Sequence, residues 1–358
     1  MLAAIVIPCL NERDTIPNAA RSLGFGLGDE ATPDGALLVL VDNGSTDGTR
    51  DALTGIGRTS RRDAVVVIDE AERGYVPPRA AGVEAAACAA RARGVPSSEL
   101  LIVQGDADTI YHEGYVRAFR SAAEDRRPAL FEGLTHPPHR FLEGHPGYQR
   151  LADAIDEEMR PFLVDDTLDV MVDDKVCGYS LASYRDWGGH RREYRSDGRE
   201  IHAETSRLFL RGKAAGAIHF RLPHAEATPS RRKILRNPIR HFATGGFPRD
   251  EAWWRSWSRG YSGPRGLPDF EREDARTLLM AAVAMRKAHL LALMSALPLM
   301  VAGQQELATA RRAGRLHHLV DQFFHDMGQM PAQTDVPTLF DVVLEAAEVW
   351  QNFLGGPR

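Results

Sequence analysis

The stretch Leu100–Asp108, with the sequence LLIVQGDAD, decides our prediction of the fold. Its first residues are apolar on both faces, as a strand buried inside a parallel sheet must be. The strand ends near a glycine, and Asp106 and Asp108 follow at alternate positions. Side chains at alternate positions leave a strand on the same side, so two carboxylates can converge on one hard cation. The stretch therefore predicts a buried strand with a metal site at its carboxyl end.

Three earlier segments are also short, apolar and rich in β-branched residues. They are Ala3–Pro8, Leu37–Val41 and Ala64–Ile68. Helical stretches lie between the four strands: Thr15–Leu23 after Asp14, Thr46–Leu53 after Ser45, and Pro78–Arg93 before Gly94. Asp and Ser are favourable N-cap residues, and glycine commonly follows a helix C-terminus. The alternation of strands and helices predicts a doubly wound, mostly parallel α/β sheet.

Polar side chains follow each of the four predicted strands. They are Asn11 and Glu12, Asp42 and Asn43, Asp69 and Glu70, and Asp106 and Asp108. In open α/β sheets, ligands bind outside the carboxyl ends of the strands. We therefore expect one acidic rim, where Mg²⁺ or Mn²⁺ binds through oxygen ligands and substrate phosphates complete its coordination shell.

The remainder of the chain predicts mixed α/β structure followed by helices. Ala129–Leu134 and Ile218–Leu222 are candidate strands. After about residue 265 the pattern changes, and helical periods begin at Leu278, Leu319 and Phe340. We expect an α/β domain at 1–265, with a nucleotide-binding half at 1–110 and an acceptor half at 111–265, and a helical C-terminal appendage at 266–358.

Composition excludes several classes of protein. A chain of 358 residues with 43% hydrophobic residues has enough material for a large core. The net charge of −5 argues against a general nucleic-acid binder. Three cysteines without a CxxC spacing argue against a disulfide framework and favour a reducing cytoplasm. The apolar N-terminus has no basic leader, and the longest apolar run, Leu290–Ala302, is shorter than the roughly 20 residues that span a bilayer.

Three motifs follow one another in the first third of the chain: IVIPCLNE at 5–12, VDNGSTDGT at 41–49 and GDADT at 105–109. In this order they resemble the motifs of the inverting glycosyltransferases of the large family 2 type, which have the GT-A fold. A further segment, Gly74–Gly82, resembles the family's segment in which an arginine, here Arg79, lies near the nucleotide-sugar. The resemblance covers roughly residues 3–250, and its first half is the more specific.

The resemblance implies a metal-dependent enzyme that moves a hexosyl or hexosaminyl group, with inversion, from a UDP- or GDP-linked sugar to an acceptor hydroxyl or amine. Two residues depart from the family pattern. Asn43 stands where the family usually has a second aspartate, and Leu10 where it usually has an aromatic residue. Because of Asn43, the resemblance does not assign the base as uracil. The sugar and the acceptor are not identified by the sequence.

The resemblance also implies a set of site residues. Those expected to bind the nucleotide-sugar are Pro8, Leu10, Glu12, Asp42, Arg79, Asp106, Ala107, Asp108, Arg231 and Arg232. Asp106 and Asp108 are expected to hold Mn²⁺ or Mg²⁺, and His224 is the candidate for a further metal ligand. Arg231 and Arg232 belong to a segment that resembles an S-x-R-R element of the family, which would close over the diphosphate.

The acceptor half carries weaker signals. Residues 178–189, GYSLASYRDWGG, resemble the family's segment on the acceptor side. An inverting transfer needs a base beside the acceptor nucleophile, opposite the departing diphosphate. Glu204 is the candidate base, and His202 is the second candidate.

Other classes of protein fit less well or remain open. A Rossmann dehydrogenase would need GxGxxG after the first strand, and a sugar nucleotidyltransferase would usually have a glycine-rich basic loop there, where this chain has CLNERD. A catalytically degenerate GT-A module, binding a nucleotide-sugar or acting as a scaffold, stays open as an alternative. For the helical tail, both homodimer formation and peripheral membrane contact fit, and the sequence favours neither.

Overall fold

The computed structural model describes residues 1–124, 128–159, 172–194, 200, 203–246, 251–301 and 325. The chain forms two compact units. The first consists of Met1–Pro138, Val172–Arg192 and Glu204–Ser230, and the second of His139–Met171, Glu193–Ala203 and Arg231–Arg358. The helical periods expected at Leu319 and Phe340 lie outside the described residues. The boundary expected after residue 265 stays a prediction.

An eight-stranded sheet forms the frame of the first unit. Its strands are β1 (Leu2–Cys9), β2 (Ala36–Asp42), β3 (Val65–Asp69), β4 (Leu100–Gln104), β5 (Thr109–Tyr111), β6 (Ala129–Thr135), β7 (Cys177–Ser180) and β8 (Ile218–Pro229). Their order across the sheet is β3-β2-β1-β4-β7-β6-β8-β5. Strands β1 to β4 pair in parallel, whereas β7 is antiparallel to β4 and β6, and β5 to β8. The expected α/β architecture, with a mostly parallel sheet at the start of the chain, is confirmed.

The helices of the first unit lie between these strands along the chain. They are α1 (Ile16–Ser22), α2 (Thr49–Arg58), α3 (Val76–Ala92), α4 (Tyr115–Glu124), α7 (Leu181–Asp186) and α8 (Glu204–Ala214). Those of the second unit are α5 (His139–Gly144), α6 (Pro146–Met159), α9 (Arg232–Arg236), α10 (Pro238–Ala243), α11 (Glu251–Gly260), α12 (Ala275–Leu278) and α13 (Met280–Val301). Across the described residues, none of these helices has both the length and the apolarity to cross a membrane.

Helix α2 begins three residues later than the sequence predicts. Ser45 does not cap it. Gly48, with a φ of 89°, precedes the helix, and the Asp47 carboxylate accepts hydrogen bonds from the N–H of Thr49 (3.0 Å) and from its hydroxyl. The segment from Gly44 to Gly48 is therefore a loop after β2 and not the first turn of the helix. The prediction was wrong because the side chains of this segment bond to neighbouring loops.

Apolar residues of the second unit pack around Phe242. Its ring contacts Tyr148 and Phe270, with ring centroids 5.9 and 5.1 Å away. The buried guanidinium of Arg286, on α13, donates to both carboxylate oxygens of Asp156 (2.8 and 2.7 Å) and to the carbonyl of Phe242 (3.0 Å). This bidentate ion pair joins α13 to α6 and α10 inside the unit.

Helix α3 lies unusually close to the sheet because of one glycine. A Cβ atom at Gly82 would lie 2.3 Å from Cγ1 of Val6 and 3.0 Å from Cγ2 of Val41, which are core residues of β1 and β2. No other residue fits at this distance without displacing the helix. Arg79 lies just under one turn before Gly82, so the glycine contact also sets the depth of the arginine at the carboxyl ends of the strands.

We expect Gly82→Ala to destabilise the protein by about 1–3 kcal/mol, because overpacking forces α3 away from the sheet. Urea unfolding measures this difference. The control is Gly55→Ala in α2, where an added Cβ meets no atom within 4 Å. Since alanine is the better helix former, this control is expected to gain about 0.5–1 kcal/mol. Equal stability of the two variants would contradict the close approach of α3.

Candidate active site

Arg79, in the first turn of α3, is the centre of the candidate site. Its side chain is 9% exposed. The guanidinium donates to Oε1 of Glu204 (3.0 Å), Oε1 of Gln104 (2.9 Å), Oδ2 of Asp174 (2.6 Å) and Oδ1 of Asp106 (3.4 Å). These partners lie at the end of β4, in the turn after it, in the turn before β7 and at the start of α8. One planar guanidinium thus joins α3 to three other segments of the chain.

Carboxylates outnumber cations around this arginine. Burial, with a smaller contribution from the charge of Asp174, raises the pKa of Asp106 to about 6, and Arg79 opposes the change. Burial also raises the pKa of Glu204, again against the effect of Arg79. The nearby Lys175 ammonium lies 2.6 Å from Oδ1 of Asp173. The site therefore carries excess negative charge, which favours a ligand that binds together with a cation.

The turn from Gly105 to Asp108 is fixed from two sides. The Tyr111 hydroxyl accepts a hydrogen bond from the Asp106 N–H (2.8 Å), and the Ser230 N–H donates to the Asp108 carbonyl (2.9 Å). A Cβ at Gly105 would lie 2.5 Å from the Tyr111 hydroxyl, so the tyrosine fits only beside glycine. Between the two aspartates, Ala107 is buried. The two carboxylates consequently leave a rigid turn at the carboxyl end of β4.

The donor set of this turn fits a divalent cation. Carboxylate oxygens are the ligands that Mg²⁺ and Mn²⁺ prefer, and Asp106 already stands in a surplus of negative charge. Among the residues that the structure describes, no group of three or more His, Cys, Asp or Glu side chains forms a ready-made metal centre. An ion at Asp106 and Asp108 would therefore take its remaining ligands from substrate phosphates and water, as Mg²⁺ commonly does.

The candidate third ligand lies elsewhere on β8. Pro229 of β8 pairs with Thr109, next to Asp108, and His224 lies five residues earlier on the same strand, exposed to solvent. The structure does not bring His224 to the two aspartates. Its role as a metal ligand stays a prediction without support from the geometry.

The first two sequence motifs hold each other in place. Asn11, with a φ of 56°, donates its N–H to the Ser45 hydroxyl (3.0 Å) and accepts at Oδ1 from the Thr46 N–H (2.9 Å). The Glu12 N–H donates to the Thr49 hydroxyl (2.8 Å). Much of the motif pattern thus has a structural purpose, because it joins the loop after β1 to the loop after β2.

The residues expected at the nucleotide lie at these two loops. Asp42 is buried, and its Oδ1 accepts from the Ser45 N–H (3.2 Å). Pro8 is half-buried and Leu10 is exposed. The carboxylate of Glu12 accepts from the Thr15 hydroxyl (2.5 Å). These residues share the rim formed by β1 and β2, and their contacts with a nucleotide stay predictions.

Asn43, the departure from the family pattern, has a definite role in the structure. Its side-chain amide donates to the carbonyls of Glu70 (2.9 Å) and Glu72 (2.7 Å). Its own N–H donates to the Cys9 carbonyl (2.9 Å). An aspartate has no side-chain N–H and would place its charge against two carbonyl oxygens. The amide therefore fixes the loop between β3 and α3 to the end of β2.

The remaining candidates are placed differently. Glu204 is the first residue of α8 and is buried against Arg79. Arg231 and Arg232 lie in the second unit, where the Arg231 guanidinium lies 5.8 Å from the ring centroid of Phe141. Their contact with a diphosphate stays a prediction. His202 lies outside the described residues.

Sequence reasoning missed Gln104, Tyr111, Asp174 and Lys175. Gln104 donates to the buried thiol of Cys177 (3.2 Å) and accepts from Arg79, so it links β4 to β7. Asp174 and Lys175 directly precede β7. Because β7 is antiparallel to β4, its amino end meets the carboxyl end of β4. Recognition of the short stretch Cys177–Ser180 as a strand would have placed both residues at the site.

Residues 4–161 match the family model described as glycosyl transferase family 2. No curated protein matches the chain in sequence. One similar solved structure is S. aureus TarS 1-349 in complex with UDP-GlcNAc, with 13% identity, a TM-score of 0.45 and a match over 82% of this chain and 71% of that chain. A second is the mannosyltransferase PcManGT from Pyrobaculum calidifontis with GDP-Man and Mn²⁺, with 16% identity, a TM-score of 0.42 and a match over 98% of this chain and 86% of that chain. A third is glucosyl-3-phosphoglycerate synthase from Mycobacterium tuberculosis with Mn²⁺, UDP and glucosyl-3-phosphoglycerate, with 18% identity, a TM-score of 0.38 and a match over 64% of this chain and 72% of that chain.

We expect Asn43→Asp to destabilise the protein by about 1–3 kcal/mol, although it introduces the residue usual in the family, because two carbonyl groups lose their donor. Thermal and urea unfolding measure the loss. The control is Asn18→Asp on α1, where the exposed side chain acts as an acceptor for Arg21 and keeps that capacity. A variant of Asn43 as stable as the control would show that the amide does not hold the loop.

Proposed function

We propose that this chain, whose residues 4–161 match the family model described as glycosyl transferase family 2, transfers a sugar, with inversion, from a UDP- or GDP-linked donor to an acceptor hydroxyl or amine. The observation that carries the proposal is the cluster around Arg79, which holds Asp106, Asp174 and Glu204 at the carboxyl ends of the strands. Ligands of open α/β sheets bind at this position.

Binding of the donor would use the rim of β1 and β2 for the nucleoside and the turn after β4 for the diphosphate. Asp106 and Asp108 are the residues that would hold Mn²⁺ or Mg²⁺, and the ion would neutralise charge on the leaving diphosphate. Arg79 holds the Asp106 carboxylate in position. Arg231 and Arg232, which the family resemblance places at the diphosphate, are the proposed basic residues for the phosphates.

Glu204 is the proposed base for the acceptor. Burial raises its pKa, and a carboxylate with a raised pKa accepts a proton from a hydroxyl more readily. Asp174 is the alternative, because its side chain is 37% exposed and that of Glu204 is 8% exposed. Both bond to Arg79, which would orient either carboxylate toward an acceptor and keep it ionised.

Calorimetric titration with UDP and GDP, each with and without Mn²⁺, tests donor binding. We expect the wild-type chain to bind at least one of them, more tightly with Mn²⁺. Asp108→Ala is expected to remove that gain, because one of two carboxylate ligands is lost. Asp51→Ala, at an exposed position on α2, is the control and should bind as the wild type does.

Absence of binding to either nucleotide, in either condition, would contradict the proposed transferase. Binding without release of nucleoside diphosphate from any donor sugar would favour the degenerate, non-catalytic module.

Hydrolysis of the donor sugar, with water as the acceptor, tests the base. We expect Glu204→Gln to lower kcat by roughly 10²- to 10⁴-fold, the usual contribution of a general base, while donor affinity stays within about threefold. The amide oxygen of glutamine still accepts from Arg79, so the cluster should persist. Asp174→Asn is the matched comparison. A rate loss confined to Asp174→Asn would transfer the role to Asp174, and loss of donor binding in Glu204→Gln would remove Glu204 from it.

A further inference from the structure

Tyr75 is an exposed aromatic residue immediately before α3. The residue is 51% exposed, and its backbone is already helical, with φ −86° and ψ −37°. In the described part of the first unit, no other aromatic residue is as exposed. Single exposed apolar side chains are common on protein surfaces, so exposure alone says little. The position of Tyr75 relative to the candidate site is what gives it meaning.

The helix geometry places Tyr75 on the same side of α3 as Arg79. Residues four apart on a helix share a face and are separated by about 6 Å along the axis. Arg79 reaches the carboxylates at the end of β4. Tyr75 therefore lies one turn further out on the same face, at the rim formed by the strand ends.

The backbone before Tyr75 is fixed to the end of β2. The Asn43 amide bonds to the carbonyls of Glu70 and Glu72, and the Arg73 guanidinium donates to the Gly44 carbonyl (2.5 Å). Tyr75 follows Arg73 by two residues. These hydrogen bonds hold the segment that carries the Tyr75 ring beside Asp42 even when no ligand is bound. The segment would therefore lose little conformational freedom when a nucleotide binds.

Two exposed apolar side chains lie on either side of Asp42 in the order of the sheet. Strand β2 lies between β1 and β3. Leu10, 43% exposed, directly follows β1, and Tyr75 follows β3 at the start of α3. Leucine at position 10 offers no aromatic face. Stacking on an aromatic ring contributes to nucleobase binding whatever the base.

We propose that Tyr75 supplies the aromatic platform on which the nucleobase of the donor stacks, with Leu10 covering its other face and Asp42 at its edge. The inference rests on the proposed function and adds to it the residue that binds the base. It explains how a chain with leucine at position 10 retains an aromatic contact, and why Asn43 holds the loop before Tyr75.

Calorimetric titration of the full chain with UDP, GDP and inorganic pyrophosphate, all with Mn²⁺, tests the platform. We expect Tyr75→Ala to weaken binding of the nucleotides by roughly 5- to 100-fold, as loss of one stacked base implies. Pyrophosphate binding should stay within about twofold, because it has no base. Tyr75→Phe keeps the ring and is expected to bind as the wild type does.

The matched control is Tyr194→Ala, since Tyr194 has the same exposed fraction of 51% and lies in the second unit. A second variant, Leu10→Tyr combined with Tyr75→Ala, returns an aromatic ring from the opposite side of Asp42 and should recover most of the lost affinity. Thermal unfolding checks that each variant is folded, and Tyr75→Leu replaces Tyr75→Ala if the alanine variant is not.

If the wild type binds nucleotide and Tyr75→Ala binds it with the same affinity, the inference is overturned and the proposed function stands. Equal weakening of pyrophosphate and nucleotides would also overturn it, because the defect would then lie at the phosphates. Wild-type protein that binds no nucleotide would refute the proposed function itself.

Discussion

The ion pairs of the buried Arg79 guanidinium are the interactions on which the first unit depends. The guanidinium lies inside a unit whose sheet has apolar residues on both faces, and a charge in that environment is tolerated only when its partners are close and its donors are used. Glu204, Asp106 and Asp174 come from chain segments up to 125 residues away from Arg79. Loss of Arg79 would leave these buried carboxylates uncompensated, and breaking a buried ion pair typically costs about 3–5 kcal/mol. The ion cluster therefore specifies where β7 and α8 meet the parallel part of the sheet.

Two glycines make this arrangement sterically possible. Gly82 lets α3 approach Val6 and Val41 closely enough for Arg79 to reach the strand ends, and Gly105 leaves room for the Tyr111 hydroxyl under the aspartate turn. Both are required by close approach and not by an unusual backbone conformation, since neither has a positive φ. Neither glycine needs to contact a ligand. Gly82 sets how deeply Arg79 reaches toward the strand ends, and Gly105 sets the position of the turn that carries Asp106 and Asp108.

The sequence predicted β1 to β4 to within about two residues because each is apolar on both faces and bounded by polar residues. The family resemblance implied that Asp106 and Arg79 both lie near the nucleotide-sugar, and the structure brings these two side chains together. The sequence prediction failed where side chains bond across loops, as at Ser45, whose hydroxyl serves Asn11 and not α2. It also failed at β7, because a strand of four residues is too short to show the alternation of apolar and polar side chains. Asp174, which lies just before this strand, was missed for the same reason. Long-range pairing of this kind is not visible in local pattern.

The engagement of Arg79 bears on how a diphosphate would be held. An arginine has five N–H donors, and here four bonds run to protein oxygens, three of them on carboxylates. The guanidinium that the family resemblance places near the nucleotide-sugar is thus largely committed to neutralising the protein's own acids. Even with Lys175, the carboxylates of Asp106, Asp173, Asp174 and Glu204 exceed the positive charge around them. A diphosphate approaching Asp106 and Asp108 would meet repulsion from these groups. Favourable binding there requires positive charge that Arg79 does not provide, which is the physical argument for a divalent cation at the aspartates.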